Sequence, residues 1–209
     1  MQKEHFLDRF RRNERVAALS DGVFAIVLTL LVLELRVPEL PEHATAADLW
    51  QALLAIKSKF IGFFFSFLFI ASVWFSHNQL FKLFDKIDNA MLWFNNFLLL
   101  IVCFIPFPTA LIGEYPHNPV GIILLGGIWT LVPLCIYLIG SRALHKKHVH
   151  SHVDIKRYLQ LRRLTLLYVF LAAVPLLFAW RLPQVAFYIY LVMMVISIIA
   201  GFMVKVVED

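Results

Sequence analysis

Long apolar runs separated by short polar segments dominate this chain. A helix that crosses the hydrocarbon core of a bilayer needs about 20 predominantly apolar residues. Runs of this kind recur six times, and no segment shows the apolar–polar alternation that is typical of a half-buried strand. The pattern predicts an all-α integral membrane protein with one six-helix domain over residues 1–209. The predicted spans cover about residues 15–35, 50–77, 89–111, 120–140, 164–180 and 184–204.

Prolines and one carboxylate predict where some of these helices begin and end. Pro38 and Pro41 follow the first span and end it, because proline lacks a backbone donor and clashes with the preceding turn. Helical turns from Ala46 are expected before the second span, since the Asp48 carboxylate can cap a helix there. The third span ends in a Pro-Phe-Pro run at residues 106–108.

The composition agrees with a membrane protein. Of the 209 residues, 61% are hydrophobic and 16% are charged, whereas a soluble domain is about half apolar and about a quarter charged. A soluble core of this length could not bury 20 phenylalanines beside its aliphatic residues. The net charge of +5 comes from lysines and arginines scattered without a nucleic-acid-binding motif. Nucleic acid is therefore not an expected partner.

The basic residues lie mainly on one side of the predicted membrane. Loops rich in lysine and arginine stay in the cytoplasm. We therefore expect a multi-pass protein of the cell membrane with both termini in the cytoplasm. The basic residues on the predicted cytoplasmic side are Lys3, Arg9, Arg11, Arg12, Arg15, Lys82, Lys86, Arg142, Lys146, Lys147, Lys156, Arg157, Arg162, Arg163 and Lys205. Those on the other side are Arg36, Lys57, Lys59 and Arg181.

The first predicted span has an apolar stripe on one side and a carboxylate on the other. On a wheel with about 100° per residue, Leu30 and Leu33 fall within about 40° of Ile26, and Thr29 about 60° from it. These four residues form the first-helix stripe, which can face lipid, a partner helix or a pore. Asp21 lies about 140° away from Ile26. Its carboxylate is expected to be buried in protein or at the cytoplasmic interface, because facing lipid is too costly.

The next two spans place polar side chains at a similar depth. Trp74 and His77 lie one turn apart at the cytoplasmic end of the second span, and Asn95 lies about two turns into the third. Together with Ser20 and Asp21 they can satisfy one another as a polar staple between helices. A proton relay through Asp21 and His77 is the alternative interpretation. One histidine and one carboxylate are too few for a metal site, so no metal is expected there.

The first span resembles the first-helix signature of the transmembrane protein 175 family of potassium channels, in its prokaryotic form. That signature is an arginine, three residues, and then Phe-Ser-Asp. Arg15, Ser20 and Asp21 match it, and Leu19 replaces the usual phenylalanine, a departure that affects local packing. Arg15 is six residues from Asp21 and on a different side of the helix, so the two are not direct partners. Its role stays open.

The resemblance continues along the chain. Val-Trp-Phe-Ser-His at residues 73–77 carries the family's tryptophan and histidine, and Asn95 and the Pro-Phe-Pro run fit the third helix of the family. The resemblance covers the whole length as a six-helix unit. The first-helix signature is its most specific part.

The resemblance implies a homotetramer in which the four first helices line a central pore. It implies an apolar constriction at Ile26, Leu30 and Leu33, and a hydroxyl layer at Thr29 that is linked to potassium preference. The family lacks a carbonyl-lined filter, and this chain likewise has no Thr-Val-Gly-Tyr-Gly segment. A buried polar network is implied to hold the pore helix in place. Its positions match Arg15, Ser20, Asp21, Trp74, His77 and Asn95.

We therefore expect a potassium-permeable, weakly selective cation channel. Its expected partners are potassium ions, the lipid bilayer and further copies of the chain, with no cofactor. A proton-coupled secondary transporter that uses Asp21 and His77 is the main alternative, although the internal repeats typical of transporters are not evident. An enzyme is not expected, since the spans contain no nucleophile–base pair or HExxH signature.

Four histidines lie in the loop between the fourth and fifth spans. A solvated loop is the preferred interpretation, and metal binding and pH sensing are the alternatives. These residues are His145, His148, His150 and His152.

Overall fold

The computed structural model describes the backbone of residues 2–203 and the side chains of residues 12–199. Helices account for most of this part of the chain. The side chains of Lys3, Arg9 and Arg11 and the whole of Lys205 lie outside the described part. Two 3₁₀ turns, Leu31–Glu34 and Val174–Leu177, extend the first and seventh helices. The α-helices are α1 (Gln2–Leu30), α2 (Ala46–Ala55), α3 (Lys57–Phe81), α4 (Asn89–Phe104), α5 (Pro106–Glu114), α6 (Pro119–His145), α7 (Ile155–Ala173) and α8 (Pro183–Met203).

Five helical segments in the described residues are long and apolar enough to cross a membrane. They are Arg12–Glu34, Lys57–Phe81, Asn89–Glu114, Pro119–His145 and Ile155–Leu177. The described part of the last apolar helix, Pro183–Ile199, is shorter than these segments. The all-helical membrane architecture is thus confirmed, whereas the sixth span stays a prediction.

The seventh helix begins at Ile155. This is nine residues before residue 164, the predicted start of the fifth span. Asp154 caps it, because its carboxylate accepts hydrogen bonds from the backbone N–H groups of Lys156 (2.8 Å) and Arg157 (3.4 Å). The basic residues between positions 155 and 164, Arg162 among them, therefore lie on the helix and not in a loop.

The turns before the second span form a separate helix. α2 ends at Ala55, and Ile56 separates it from α3. Thr45 caps α2, which corrects the expected cap at Asp48: the Thr45 hydroxyl accepts from the Asp48 N–H, and the Asp48 carboxylate accepts from the Thr45 N–H at 2.8 Å. The Thr45 hydroxyl and then its backbone N–H hold the pKa of Asp48 below its ordinary value, because both donate to the ionised carboxylate.

The third span is also broken. α4 ends at Phe104 and α5 begins at Pro106, since Pro106 and Pro108 cannot donate the backbone hydrogen bonds that would continue one helix. The span then runs to Glu114, three residues beyond its predicted end. A buried hydrogen bond of 2.6 Å between the hydroxyls of Ser66 on α3 and Thr109 on α5 joins the two helices.

The sixth helix lies at the centre of the bundle, where it contacts α3, α4, α5, α7 and α8. Its Trp129 is fully buried and stacks on Phe69 with ring centroids 3.9 Å apart and on Phe65 at 5.1 Å. The indole N–H donates to the hydroxyl of Tyr168 on α7 at 2.8 Å. This aromatic cluster therefore packs α3 and α7 onto α6. The first helix packs against α3 and α4.

The loop after α3 and the loop after α6 pair as an isolated antiparallel bridge between Phe84 and Val149. The Asp85 N–H donates to the carbonyl of His148 at 2.8 Å, and the His150 N–H donates to the carbonyl of Leu83 at 3.0 Å. The loop of histidines is thus ordered through its backbone. Within residues 12–199, no three His, Cys, Asp or Glu side chains are grouped in a way that suits a metal ion.

Asp88 joins this end of the bundle to α4. Its carboxylate caps α4 by accepting the Met91 N–H at 2.9 Å, and it accepts Arg142 Nε at 2.7 Å. Burial disfavours the ionised carboxylate, but the Met91 N–H and the Arg142 guanidinium outweigh it and lower the pKa of Asp88 below 3.8. Because the pKa is lowered by folding, the stabilisation by Asp88 is complete at neutral pH and is lost only as the pH falls below about 3.8.

We predict that Asp88→Ala destabilises the protein by about 1–2 kcal/mol, because a helix loses its cap. Asp88→Asn keeps a good capping group and loses only a partly exposed ion pair, so its loss should be below about 1 kcal/mol. Thermal unfolding of the purified protein at pH 7 measures both. Equal losses for the two variants would mean that the charge, and not the cap, is the stabilising feature.

Candidate functional site

The first helix is covered on one face. Residues spaced three or four apart pack against α3 and α4 and are buried. These residues are Val16, Ser20, Phe24, Val27 and Leu31. Since four of the five are apolar, packing orients α1 in the bundle, and Ser20 is the one polar group on this face.

The opposite face of this helix is uncovered in the single chain. Ile26 is 59% exposed, Leu30 44% and Leu33 65%, and Thr29 is exposed as well. Leu33 lies in the 3₁₀ turn after α1 and still points away from the core. The first-helix stripe is therefore a continuous, mainly apolar surface on a helix whose other face is held by the protein.

A buried chain of hydrogen bonds joins α1, α4 and α3. Asn95 Nδ2 donates to Ser20 Oγ at 3.0 Å, and the Ser20 hydroxyl donates to the carbonyl of Val16 at 2.9 Å. Asn95 Oδ1 then accepts from His77 Nε2 at 2.8 Å, so Nε2 carries a proton. Ser20, His77 and Asn95 are all at most 2% exposed. We call these three residues the buried triad.

The triad histidine is held by aromatic rings as well as by its hydrogen bond. The His77 ring stacks on Phe81 with centroids 4.0 Å apart, and Phe24 of α1 lies at 5.6 Å. These two aromatic contacts restrict the orientation of the ring, whose Nε2 donates to Asn95. The imidazole is thus a positioned donor inside a close-packed layer.

Asp21 makes a different contact. Its carboxylate accepts Trp74 Nε1–H at 2.8 Å, and both residues are exposed in the single chain. Asp21 is therefore not buried in the single chain, and its expected alternative position at the cytoplasmic interface stays a prediction. Asp21 lies about 100° around the helix from Ser20, so only one of the two neighbours can point between α3 and α4.

The six polar positions do not form a single network in the described structure. They divide into the buried triad and the Asp21–Trp74 pair, and Arg15 is exposed with no hydrogen bond to either among residues 12–199. In the same range, Asp21 and His77 share no hydrogen bond. A direct proton relay between these two side chains is thus not assembled in this conformation.

Two of the interhelical polar contacts that the sequence interpretation missed lie on α3 and at the start of α4, the helices that carry the site. The Ser66–Thr109 hydroxyl pair and the Asp88–Arg142 ion pair both join separate helices. A hydroxyl inside the phenylalanine-rich run of α3 is the only sequence signal for the first pair. The second had none, because its partners are 54 residues apart.

These features define an α-helical membrane protein in which one helix is held by polar and apolar contacts on one face and uncovered on the other. A family model described as the endosomal/lysosomal potassium channel TMEM175 matches residues 15–106, the segment that contains every residue of this site. A protein from Chryseobacterium sp. named as a potassium channel is 32% identical over 155 residues, which cover 70% of this chain and 76% of that protein. The chain belongs to the TMEM175 family.

Two further relatives show how far the local similarity reaches. A potassium channel from Chamaesiphon minutus is 42% identical over 105 residues, 50% of this chain and 51% of that protein. The human endosomal/lysosomal proton channel TMEM175 is 33% identical over 112 residues, 51% of this chain and 22% of that protein. These alignments therefore span about half of this chain, and about half or less of each relative.

Solved structures extend the likeness to the whole bundle. The crystal structure of a lysosomal potassium-selective channel TMEM175 homolog from Chamaesiphon minutus has a TM-score of 0.80 and 26% identity, and the match covers 91% of this chain and 98% of that one. A crystallised variant of the potassium channel MtTMEM175 has a TM-score of 0.65 at 19% identity, which shows a shared fold. The shared fold thus extends well beyond residue 106, where the family-model match ends.

The geometry of the triad predicts its energetic coupling. Asn95→Ala leaves both Ser20 and His77 without their buried partner, so we expect a loss of about 2–4 kcal/mol. Combining Asn95→Ala with His77→Ala should cost clearly less than the sum of the two single variants. Thermal unfolding of the singles and the double measures this coupling.

The pair Asp21→Ala and Asn95→Ala is the matched control, because those side chains share no hydrogen bond. Their losses should add within about 0.5 kcal/mol. Additive losses for Asn95 and His77 as well would mean that the triad contributes packing and no coupled hydrogen bonding.

Proposed function

We propose that this protein is a potassium-permeable, weakly selective cation channel of the cell membrane, built as a homotetramer in which the first helix of each subunit lines a central pore. The observation that carries the proposal is the first-helix stripe. It is uncovered in the single chain, while the other face of the same helix is held by α3 and α4. The names of the bacterial relatives support potassium as the ion.

The stripe suits a pore better than a lipid surface for one chemical reason. Thr29 places a hydroxyl oxygen among Ile26, Leu30 and Leu33, where a permeating cation could contact it, whereas lipid tails offer that oxygen no polar partner. Four copies of the three apolar residues around an axis would form a narrow, weakly hydrated constriction. Such a constriction lacks ordered carbonyl rings, which agrees with weak selectivity.

The Thr29 hydroxyl is already bonded to its own helix. It donates to the carbonyls of Ile26 at 2.8 Å and Ala25 at 3.1 Å. Because the hydrogen of the hydroxyl points at these carbonyls, the oxygen lone pairs point away from the helix axis. A cation beside the helix can therefore bind the oxygen. The hydroxyl proton is thereby kept away from the ion, so Thr29 acts as an acceptor only.

The orientation is part of the proposal. We place both termini in the cytoplasm and count α8 as the sixth span of a single domain over residues 1–209. Basic residues of α1 and of the loops after α3 and α6 lie together at one end of the bundle, and they are Arg12, Lys82, Lys86, Lys146 and Lys147. Basic residues gathered at one end support a cytoplasmic position for that end. The pairing of those two loops and the bond from Arg12 to Asn89 at 2.6 Å support a common side.

A proton-coupled transporter is the competing proposal, and proton permeation deserves a separate test because vertebrate relatives are named as proton channels. The separation of Asp21 from the buried triad argues against a relay through both residues. Purified protein in a planar bilayer distinguishes the classes. Unitary potassium currents support the channel, whereas flux that occurs only with a stoichiometric proton countercurrent supports the transporter.

We predict that Ile26→Asn raises the unitary conductance and lowers the potassium preference, because an amide hydrates the constriction. Ile61→Asn is the matched control, since Ile61 is 50% exposed on α3, away from the stripe. Its single-channel current should equal that of the parent. Parent-like currents for Ile26→Asn would place the pore on another helix.

We predict that Thr29→Val conducts but shifts the potassium-to-sodium permeability ratio toward one, because the cation loses an oxygen ligand. Thr29→Ser keeps the hydroxyl and should retain the parental ratio. Reversal potentials under bi-ionic conditions give both ratios. If Val and Ser variants behave alike, the hydroxyl has a role in helix packing and none in ion preference.

A further inference from the structure

A lateral groove runs along the bundle between α7 and the α3–α8 pair, with α6 as its floor. Three adjoining cavities of about 280, 230 and 240 Å³ form it. Ser76 of α3 and Ser197 of α8 line all three, so the cavities are one continuous groove. The groove opens to the outside of the chain and is separate from the first-helix stripe, which is on α1.

The groove has the length and the surface for an acyl chain. Along α3 the groove extends from Leu68 to Leu80, which corresponds to about 18 Å along the helix axis. One leaflet of the hydrocarbon core is about 15 Å thick, so a lipid tail and its glycerol region fit within this length. Its walls are mainly apolar side chains such as Phe75, Ile136 and Leu164.

One end of the groove has a positive charge. Arg162 of α7 lines the 280 Å³ cavity, is half-buried, and places its guanidinium 5.8 Å from the centre of the Tyr137 ring. Among the described side chains of residues 12–199, no aspartate or glutamate lines the three cavities. Arg162 lies about 10 Å along α7 from its start at Ile155, near the level where a bilayer places its phosphates. The groove thus has mainly apolar walls and a guanidinium at one end, and no described acidic side chain lines it.

We propose that this groove binds an anionic phospholipid, with an acyl chain along α3 and α6 and the phosphate at Arg162. Basic pockets between membrane helices recognise such head groups. A second copy of the chain is the less suitable occupant, because it would bury the Arg162 guanidinium and would have to bring a carboxylate to it. The proposal concerns lipid binding and is independent of ion conduction.

Native mass spectrometry of the intact assembly tests this proposal with two lipids that have the same tails. Dioleoylphosphatidylglycerol is the anionic probe and dioleoylphosphatidylcholine the control. Arg162→Gln should weaken retention of the anionic lipid about fivefold, the effect of one basic group near a head group, and leave the control lipid unchanged. Arg163→Gln is the matched control variant, because Arg163 is the exposed neighbour that does not line the groove. It should retain both lipids like the parent.

A second variant tests the acyl-chain position. Ser76→Trp fills the groove. The Ser76 hydroxyl donates to the carbonyl of Ser72 on its own helix, so among residues 12–199 no interhelical hydrogen bond is lost. This variant should reduce retention of both lipids. The proposal is wrong if Arg162→Gln and Arg163→Gln behave alike. It is also wrong if Ser76→Trp leaves lipid retention unchanged but dissociates the assembly on size-exclusion chromatography, because a second copy would then occupy the groove.

Discussion

The rotation of the first helix about its own axis is the constraint on which the candidate site depends. Ser20, Asn95 and His77 form a chain of hydrogen bonds at a depth where no water can replace a lost partner. A rotation of α1 by one residue would withdraw Ser20 and leave the buried Asn95 Nδ2 without its acceptor. The apolar contacts of the same face, Phe24 and Leu31, oppose that rotation as well. With the back of the helix fixed in this way, the direction of the first-helix stripe is fixed too.

The remainder of the bundle supports α3 and α4, on which α1 rests. Trp129 holds α3 against α6 by stacking, and the Ser66–Thr109 bond holds α3 against α5 across the proline break. At the basic end, Asp88 connects the start of α4 to Arg142 of α6. These contacts are of three different kinds, and each keeps a partner helix of α1 in place. The rigid unit behind α1 is therefore spread over most of the chain.

The family model covers much less of the chain than the structural similarity does. The family model ends at residue 106, after α1, α3 and α4, whereas the structural match to the Chamaesiphon minutus channel extends over 91% of the chain. The helices that form the site thus carry the recognisable residues. α6 to α8 need only apolar surface of suitable shape, which many sequences supply. The groove beside α7 lies in this second region, where residue identity is less constrained by the site.

The sequence by itself determined the membrane class, five of the approximate spans, and the opposite placement of the first-helix stripe and Asp21. Apolar length and a helical period of about 3.6 residues are local properties. The TMEM175 family was also evident from Arg15, Ser20 and Asp21 with Trp74 and His77. Only the tertiary structure decided that Ser20 enters the buried triad while Asp21 pairs with Trp74 at the surface. It also decided that α7 begins at Ile155, and that Asp88 meets Arg142. These outcomes depend on which helices become neighbours and how each is rotated. Contacts between residues far apart in the chain produce no local sequence pattern from which they could be predicted.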